Sequence, residues 1–206
     1  MPLPVRKAVA HLRATDPVLA GVIDRVGPCR ARIASDGTHF HAVLRSIVYQ
    51  QLSGSAAATI HGRVVALFGD RDPTPRGLLA LDDAVLRAAG LSGQKTAYVK
   101  DLARHATSRR FPLERLHEFD DAAVIETLTA IKGVGRWTAQ MFLMFRLGRP
   151  DVLPDLDLGI QKGIQRAYGL RRLPTPPQVL KRGAPWAPYR TIASWYLWRL
   201  LDLPAS

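Results

Sequence analysis

Apolar positions recur at intervals of three and four residues along most of the chain, the spacing that places them on one face of an α-helix. Residues 39–51 show this clearly, with Phe40, Val43, Leu44 and Ile47 in register. No segment alternates apolar and polar residues as a half-buried strand would. The pattern therefore predicts an all-α fold of about ten to twelve short helices. They are expected at 5–14, 16–26, 39–51, 53–68, 93–107, 121–130, 137–147, 159–168, 175–182 and 188–201, with shorter ones beginning at Thr74 and at Asp82 or Asp83.

Capping residues mark several of these helix boundaries. Asp16 is followed by Pro17, a pair typical of a helix N-terminus, because aspartate accepts from the first free N–H groups and proline fits the first turn. Ser53 and Ser92 stand at the same kind of position before helical segments. Gly69 follows a long alanine-rich segment and is predicted to end its helix. No boundary falls in a long flexible linker.

The charge of the chain favours a polyanionic partner. Its 206 residues carry 29 Lys and Arg against 17 Asp and Glu, a formal net charge of +12, in a length that fits one compact domain or two small lobes. Most of the basic residues are Arg, whose planar guanidinium contacts phosphate with two hydrogen bonds and stacks on bases. Phosphate neutralisation supplies most non-specific affinity for nucleic acid. Nucleic acid is therefore the expected partner, and a soluble protein from an Arg-rich proteome is the alternative.

The cysteine and histidine content argues against a metal or redox centre. Cys29 is the single cysteine, so we expect neither an internal disulfide nor an iron–sulfur cluster. The six histidines follow no zinc-binding spacing. The N-terminus lacks an apolar signal core and no segment reaches transmembrane length, so we expect no membrane partner and a cytoplasmic location.

Residues 128–139, LTAIKGVGRWTA, contain the strongest local signal. One helical segment stops before Gly133 and Gly135, and a second begins at Trp137. Two glycines at this spacing predict a tight turn whose backbone N–H groups face outward at a helix N-terminus, which is a phosphate-binding arrangement. The turn also suits an ordinary helix–helix connection, and it can gather backbone carbonyls around a monovalent cation. The flanking side chains that can add phosphate contacts are Lys132, Arg136 and Thr138.

Three acidic residues stand in the apolar segment 151–159, DVLPDLDLG. One interpretation is that Asp151, Asp155 and Asp157 only cap the helix that follows. The other is that Asp157 is a carboxylate at a helix N-terminus, kept ionised by the helix dipole and directed into a cleft. Such a carboxylate can stabilise a positively charged sugar in a transition state or activate water.

Two further segments have both a structural and a functional interpretation. Gln50, Gln51 and Leu52 end an apolar helix, either as C-terminal caps or as a wedge that fills the space left by an extruded nucleotide. The C-terminal aromatics are mostly expected in the core. Trp137 beside the turn and Trp198 near the chain end are also candidates to stack on an extruded base, and a cationic base strengthens such stacking.

The motifs follow an order that resembles a known family. Over roughly residues 39–201 the chain is similar to the helix-hairpin-helix (HhH-GPD) glycosylase superfamily and, within it, to the AlkA-type DNA-3-methyladenine glycosylase II enzymes. The hairpin alone is moderately specific, whereas the hairpin, the aspartate of DLG and the final PYR–YLW segment in this order are highly specific. The motifs are YQQLSGSAA at 49–57, GLSGQK at 90–95, IKGVGRWTAQM at 131–141, DVLPDLDLG at 151–159 and WAPYRTIASWYLW at 186–198.

The resemblance implies two helical lobes with a cleft between them. Residues 39–149 would form one lobe, and residues 1–38 together with 150–206 would form the other. The N-terminal β domain of larger relatives is not expected. No cofactor is implied apart from a structural sodium or potassium ion at the hairpin, held by the carbonyl groups of Thr129, Ile131 and Val134.

The resemblance also assigns roles to individual side chains. Asp157 corresponds to the essential aspartate of the superfamily, and the amides of Gly133 and Gly135 would hold a backbone phosphate near the lesion. Gln51 falls at the intercalating position, with Leu52 as the next candidate. The base pocket is expected to contain Tyr49, Trp137, Met141, Leu158 and Trp198, where Met141 and Leu158 replace tyrosine and leave the lesion range open.

The implied activity is that of a monofunctional DNA glycosylase in base excision repair. It would act as a monomer in the bacterial nucleoid, extrude an alkylated purine of the 3-methyladenine or 7-methylguanine type from double-stranded DNA and leave an abasic site. Bifunctional relatives carry a Schiff-base lysine where this chain has Trp137. The alternatives are a glycosylase/lyase for oxidised bases, a non-catalytic DNA-binding protein, and a structural helical protein that is basic by chance.

Overall fold

The computed structural model describes residues 3–34, 36–69 and 71–204, and these residues form α-helices and 3₁₀ helices without a strand. The all-α prediction is confirmed. Two 3₁₀ helices, Leu113–Glu118 and Ala184–Trp186, lie outside the predicted helices because such short segments show no helical period in the sequence. None of the described helices is long and apolar enough to cross a membrane. The α-helices are α1 (Val5–Thr15), α2 (Pro17–Val26), α3 (His39–Tyr49), α4 (Gly54–Ala66), α5 (Pro75–Ala80), α6 (Asp83–Ala88), α7 (Gly93–Thr107), α8 (Asp121–Thr129), α9 (Arg136–Phe145), α10 (Leu158–Ala167), α11 (Pro176–Gly183) and α12 (Arg190–Asp202).

Side-chain caps fix three helix N-termini where the sequence predicts them. The Asp16 carboxylate accepts two backbone N–H groups of α2 at 3.0 Å. The hydroxyls of Ser53 and Ser92 accept N–H groups in the first turns of α4 and α7. The prediction that Gly69 ends its helix is wrong. α4 ends at Ala66, because the backbone N–H groups of residues 67–69 bond to carbonyls three residues earlier instead of four. Gly69 itself has a φ of +63°.

The chain separates into two compact units. The terminal unit comprises Met1–Ala34 and Leu143–Ser206, and the middle unit comprises Ser35–Phe142. The predicted lobe limits, residues 39 and 149, lie a few residues further along the chain. The boundary falls inside α9, so most of that helix is described with the middle unit.

The terminal unit is built on the packing of α10 against α12. The two helices approach closely at Gly163, where a Cβ atom would lie 2.8 Å from the carbonyl oxygen of Leu197. α1 packs on α2 and α12, and the 3₁₀ helix Ala184–Trp186 packs on α1 and α11. This core holds the first turn of α10 in place. Its fully buried side chains include Leu12, Leu19, Ile160, Ile164, Trp186, Ile192 and Leu197.

The middle unit contains α3 packed against α4 and α7, with α5 also packed against α7. The predicted apolar face of α3 is buried, including Phe40, Val43, Leu44 and Ile47, which confirms the helical interpretation of this segment. The core therefore fixes α3 relative to α7. That relation matters because α3 leads into residues 50–52, whereas α7 contributes Lys95 and Tyr98 to the cavity described below.

A buried carboxylate fixes the junction of α1 and α2. Asp16 is 8% exposed, and its Oδ2 accepts the Trp186 indole N–H at 2.8 Å and the Tyr168 hydroxyl. Burial raises the pKa of Asp16, but the hydrogen bonds from Tyr168, Trp186 and two backbone N–H groups outweigh burial and bring it below its ordinary value. The ionised carboxylate thus joins α2, the end of α10 and the 3₁₀ helix Ala184–Trp186.

We expect Asp16→Asn to lower the free energy of unfolding by about 2 kcal/mol at pH 7, because an amide NH₂ cannot accept the bonds from Tyr168 and Trp186. The folded-state pKa of Asp16 is depressed, so the carboxylate contributes fully above its unfolded pKa and loses its contribution as the pH falls through the folded value. The difference in free energy of unfolding between wild type and Asp16→Asn should therefore shrink below about pH 4. Urea unfolding of both proteins from about pH 3 to 7 measures this difference, and a difference independent of pH would contradict the role of the Asp16 carboxylate.

Candidate active site

Residues 130–135 form the predicted turn between α8 and α9, here named the hairpin turn. The Lys132 N–H donates to the Asp101 carboxylate at 2.9 Å. Gly133 has a φ of +80°, and a Cβ atom there would lie 2.1 Å from the Tyr98 ring. Both the backbone angle and the packing therefore require glycine at position 133.

The outer surface of the hairpin turn is basic and open. Lys132, Gly135 and Arg136 are exposed. A Cβ atom on Gly135 would meet nothing within 4 Å, and Gly135 does not have a positive φ, so nothing inside the protein requires glycine there. Thr138, in contrast, is 7% exposed and lines a cavity, which removes its hydroxyl from this outer surface.

The carbonyl groups predicted to hold a cation belong to the end of α8 and to the hairpin turn. Thr129 is the last residue of α8, and Ile131 and Val134 are buried. The Ile131 carbonyl accepts the Val134 N–H at 3.0 Å and retains a second lone pair. Neutral backbone oxygens are the ligands that alkali cations take in proteins, so the chemistry of this donor set suits such an ion.

α3 ends at Tyr49, two residues earlier than predicted, and leads into residues 50–52, here named the α3 turn. Gln51 has a φ of +56°, the one positive φ of a non-glycine residue in the described chain. Its side chain is exposed, as is that of Leu52. The Gln50 amide donates to the Gly133 carbonyl at 2.8 Å, so the α3 turn is bonded to the hairpin turn. A strained, exposed residue held in this way is typical of a functional position.

A cavity of about 560 Å³ in the middle unit is lined by both turns and by α9. Three of the predicted pocket residues, Tyr49, Trp137 and Met141, line it. Trp137 is 44% exposed, and the Arg45 guanidinium lies 4.2 Å from the centroid of the Tyr49 ring. A cavity lined by aromatic faces suits a planar base. The other two predicted pocket residues, Leu158 and Trp198, belong to the terminal unit.

Asp157 is the N-cap of α10 in the terminal unit. Its Oδ1 accepts the Ile160 N–H at 2.8 Å and the Trp198 indole N–H at 2.9 Å. Gly159 leaves space for the indole, since a Cβ atom there would lie 2.8 Å from the Trp198 ring. Asp157 and Trp198 are both half-buried. Asp157 is thus a helix cap and also a carboxylate held in a fixed orientation, so the two interpretations of this residue do not exclude each other.

The neighbouring acidic residues of the DVLPDLDLG segment have other surroundings. Asp151 accepts the Arg190 guanidinium at 2.7 Å through both oxygens and the Arg190 N–H at 3.2 Å, so it holds the start of α12 and does not cap α10. Burial raises the pKa of Asp151, but Arg190 more than compensates and lowers it. Asp155 is 3% exposed. Of the three, Asp157 alone caps α10 through its side chain and receives an indole hydrogen bond in the described structure.

Two contacts of this site have no local signal in the sequence. The first joins Trp198 to Asp157, which makes Trp198 a partner of the carboxylate in addition to a candidate pocket wall. The second joins Gln50 to Gly133. The partners are 41 and 83 residues apart, so only the packing of helices brings them together. Leu158, the first residue of α10, is 53% exposed.

Comparisons with known proteins give one consistent result. Residues 44–188 match the model of the HhH-GPD superfamily of base excision DNA repair proteins. The chain is 35% identical over 200 residues to DNA-3-methyladenine glycosylase 1 of Schizosaccharomyces pombe, which covers 96% of this chain and 88% of the relative. The structure is similar to that of the S. pombe 3-methyladenine DNA glycosylase (Mag1) in complex with abasic DNA, with 33% identity, a TM-score of 0.84 and coverage of 97% and 98% of the two chains. It is also similar to a DNA-3-methyladenine glycosidase from Bacillus halodurans, with 39% identity, a TM-score of 0.82 and coverage of 95% and 88%.

Proposed function

Because the chain belongs to the HhH-GPD superfamily of base excision DNA repair proteins, we propose that it is a monofunctional DNA glycosylase. Its substrate is double-stranded DNA with alkylated purines of the 3-methyladenine and 7-methylguanine type, and its products are the free base and an abasic site. The observation that carries the proposal is the half-buried Asp157 carboxylate, oriented by Trp198 at the N-terminus of α10. The names of the S. pombe and B. halodurans relatives support the choice of substrate.

The hairpin turn binds the DNA backbone in this proposal. The N–H groups of Gly133 and Gly135 hold a phosphate near the lesion, and Lys132 and Arg136 add positive charge beside it. Support comes from the exposure of both basic side chains and from the open space at Gly135, which lets a phosphate approach the backbone. The sequence also predicts Thr138 in this contact, but its burial makes it a weaker candidate.

The α3 turn displaces the damaged nucleotide. Gln51 enters the stack from the exposed turn and fills the space of the extruded base, with Leu52 beside it. Support comes from the exposure of Gln51 and from its positive φ, a backbone conformation typical of functional positions. Extrusion costs less for a damaged pair than for an intact one, and this difference contributes to selectivity.

Base recognition depends on charge. An N3- or N7-alkylated purine is cationic, so the aromatic face of Trp137 attracts it more strongly than it attracts a normal base. Tyr49, whose ring already carries the Arg45 guanidinium at 4.2 Å, lines the cavity beside it. Met141 lines the same cavity. The positive charge also makes the purine a good leaving group, so little acid catalysis is required.

Asp157 acts on the sugar. The bond between C1′ and the purine nitrogen breaks with its electron pair leaving on the base, which becomes neutral. The remaining sugar has oxocarbenium character, and the Asp157 carboxylate stabilises that charge. Water then adds to C1′, and its proton passes to Asp157 or to solvent. The Trp198 hydrogen bond fixes the carboxylate for this step.

Strand cleavage would require an amine nucleophile, and one observation bears on that alternative. Lys95 lines the same cavity as Trp137, and burial lowers its pKa, which favours a nucleophilic amine. Its Nζ, however, donates to the carbonyls of Val48 and Gln50, both at 2.6 Å. Both bonds are donated by the protonated amine, which has no lone pair for nucleophilic attack. They therefore support the monofunctional assignment.

Three secondary features accompany the proposal. A sodium or potassium ion bound by the carbonyls of Thr129, Ile131 and Val134 would stiffen the hairpin turn without taking part in the reaction. The protein acts as a monomer, since one chain provides all the proposed contacts. Its place of action is the cytoplasm, at the nucleoid, because its substrate is chromosomal DNA.

Base release tests the activity directly. We expect methylated purines to be released from methylated DNA, as measured by chromatography, and the strand to stay intact until the abasic sites are cleaved chemically. Deaminated DNA and ethenoadenine DNA, assayed in parallel, define the lesion range. Borohydride should trap no covalent enzyme–DNA complex. Trapping that is lost in Lys95→Met would establish the lyase alternative, and release of no base from any of the three DNAs would refute the glycosylase.

A further inference from the structure

Helix α7 carries three side chains, about one turn apart, that contact the two segments proposed to touch DNA. Lys95, Tyr98 and Asp101 follow one another at intervals of three residues and therefore share one face of the helix. Lys95 contacts the α3 turn, whereas Tyr98 and Asp101 contact the hairpin turn. One rigid helix is thus bonded to both segments.

The Lys95 ammonium binds the end of α3. It donates to the carbonyls of Val48 and Gln50, both at 2.6 Å. Carbonyls in the last turn of a helix lack partners within the helix, and a cation there also faces the negative end of the dipole. Gln51 comes next, and its strained φ of +56° persists only if surrounding contacts enforce it. The hydrogen bond from Lys95 to the carbonyl of Gln50, the residue before Gln51, is such a contact.

The remaining bonds close a network around both turns. The Tyr98 ring packs against Gly133, and the Asp101 carboxylate accepts the Lys132 N–H at 2.9 Å. The Gln50 amide donates to the Gly133 carbonyl at 2.8 Å and so joins the two turns directly. The separation between the exposed Gln51 side chain and the hairpin N–H groups is therefore set by α7 and by one amide bridge.

We propose that Lys95 is a positioning residue that holds Gln51 in the geometry with which it displaces a damaged nucleotide. The inference rests on the proposed role of the α3 turn as the intercalating wedge. Lys95 acts on base extrusion and leaves bond cleavage to Asp157, because its Nζ is bonded to the backbone of the α3 turn. Loss of Lys95 therefore slows the reaction only where a base must first leave a duplex.

Lys95→Met tests this, since methionine keeps an unbranched stem and removes the donors. Single-turnover excision of an alkylated purine from duplex DNA should fall by at least about tenfold, as expected when a positioning contact is lost. Excision of the same lesion from a single-stranded oligonucleotide should change by less than about twofold, because no stacked partner strand has to be replaced. Equal losses on the two substrates, or no loss on either, would overturn the proposal.

Lys100→Met is the matched control. Lys100 lies on the same helix, is buried, and its Nζ likewise donates to the carbonyls of Leu79 and Leu81 at the end of α5. This variant should lose thermal stability at least as much as Lys95→Met does, and its excision rates on both substrates should stay within about twofold of wild type. Lys95→Arg, which keeps a charged donor, should recover most of the duplex rate. If Lys100→Met also lowered excision from duplex DNA but not from single-stranded DNA, the loss in Lys95→Met would be merely structural.

Two further measurements connect Lys95 to Gln51. In a Gln51→Ala background, Lys95→Met should cause little further loss of duplex excision, whereas independent residues would give additive losses. Fluorescence of 2-aminopurine beside a stable abasic analogue reports unstacking without any bond cleavage. Wild type should raise this fluorescence and Lys95→Met should not; an equal rise in both would refute the positioning role. Because this assay needs no base release, it separates failure of the positioning role from failure of the proposed glycosylase activity.

Discussion

Asp157→Asn should bind duplex DNA as wild type does and release alkylated purines at least about 100-fold more slowly, the range seen when a preorganised electrostatic contact to a transition state is removed. The physical reason is the charge. An amide has almost the shape of a carboxylate but offers no negative charge to an oxocarbenium-like sugar. Single-turnover excision from methylated duplex DNA, with binding measured separately at one fixed salt concentration, gives both quantities.

The fold is expected to survive this change. Asn caps helices about as well as Asp does, so the Asn amide oxygen can keep the bond from the Ile160 N–H. The same oxygen can accept the Trp198 indole N–H, and the space at Gly159 is unaffected. A loss of activity with unchanged thermal stability would therefore report the charge of Asp157 and not its cap.

Asp120 provides a matched control for Asp157. Its Oδ1 accepts the Ala123 N–H at 2.8 Å as the N-cap of α8, so Asp120→Asn makes the same chemical change at an exposed helix start. We expect excision and stability close to wild type in Asp120→Asn. If Asp157→Asn released methylated purines as fast as Asp120→Asn does, the proposed role of the Asp157 carboxylate would be wrong.

The helices and the hairpin turn could be predicted from the sequence because their signals are local. The apolar spacing of α3, the aspartate before Pro17 and the two glycines after Lys132 each act within a few residues. Local physics also has limits, as the ends of α3 and α4 show. The structure ends both helices about two residues early. At the end of α3, Lys95 from α7 donates to the carbonyls of Val48 and Gln50, a contact between helices that no local pattern shows.

The orientation of site residues could not be predicted in the same way. In the sequence, Trp198 is recognisable only as an aromatic residue of the core or of a base pocket. The packing of α10 against α12 brings its indole N–H to Asp157. Lys95 belongs to the GLSGQK motif, but its hydrogen bonds go to the carbonyls of Val48 in α3 and Gln50 in the α3 turn, 47 and 45 residues away. A sequence shows which chemical groups are available; their partners depend on tertiary packing, which a local pattern does not encode.

The two glycines of the hairpin turn are equivalent in the sequence and different in the structure. We expect Gly133→Ala to lower the free energy of unfolding by about 3 kcal/mol, combining the cost of a left-handed backbone with that of overpacking. Both causes are observed at Gly133, which has a φ of +80° and would place its Cβ 2.1 Å from the Tyr98 ring. Urea unfolding measures the loss. In a Tyr98→Ala background the cost of Gly133→Ala should be smaller, because only the backbone contribution remains.

Gly135→Ala should leave stability within about 0.5 kcal/mol of wild type, since its Cβ meets no atom within 4 Å and its φ is not positive. Its affinity for duplex DNA should nevertheless fall by about tenfold or more, because a methyl group there obstructs a phosphate approaching the backbone N–H groups. Fluorescence anisotropy at fixed salt tests this. A stable Gly135→Ala protein with wild-type affinity would place the phosphate contact elsewhere. A stable Gly135→Ala protein with reduced affinity for DNA would show that glycine is required at position 135 for DNA binding. The loss of stability in Gly133→Ala would show that glycine is required at position 133 for folding.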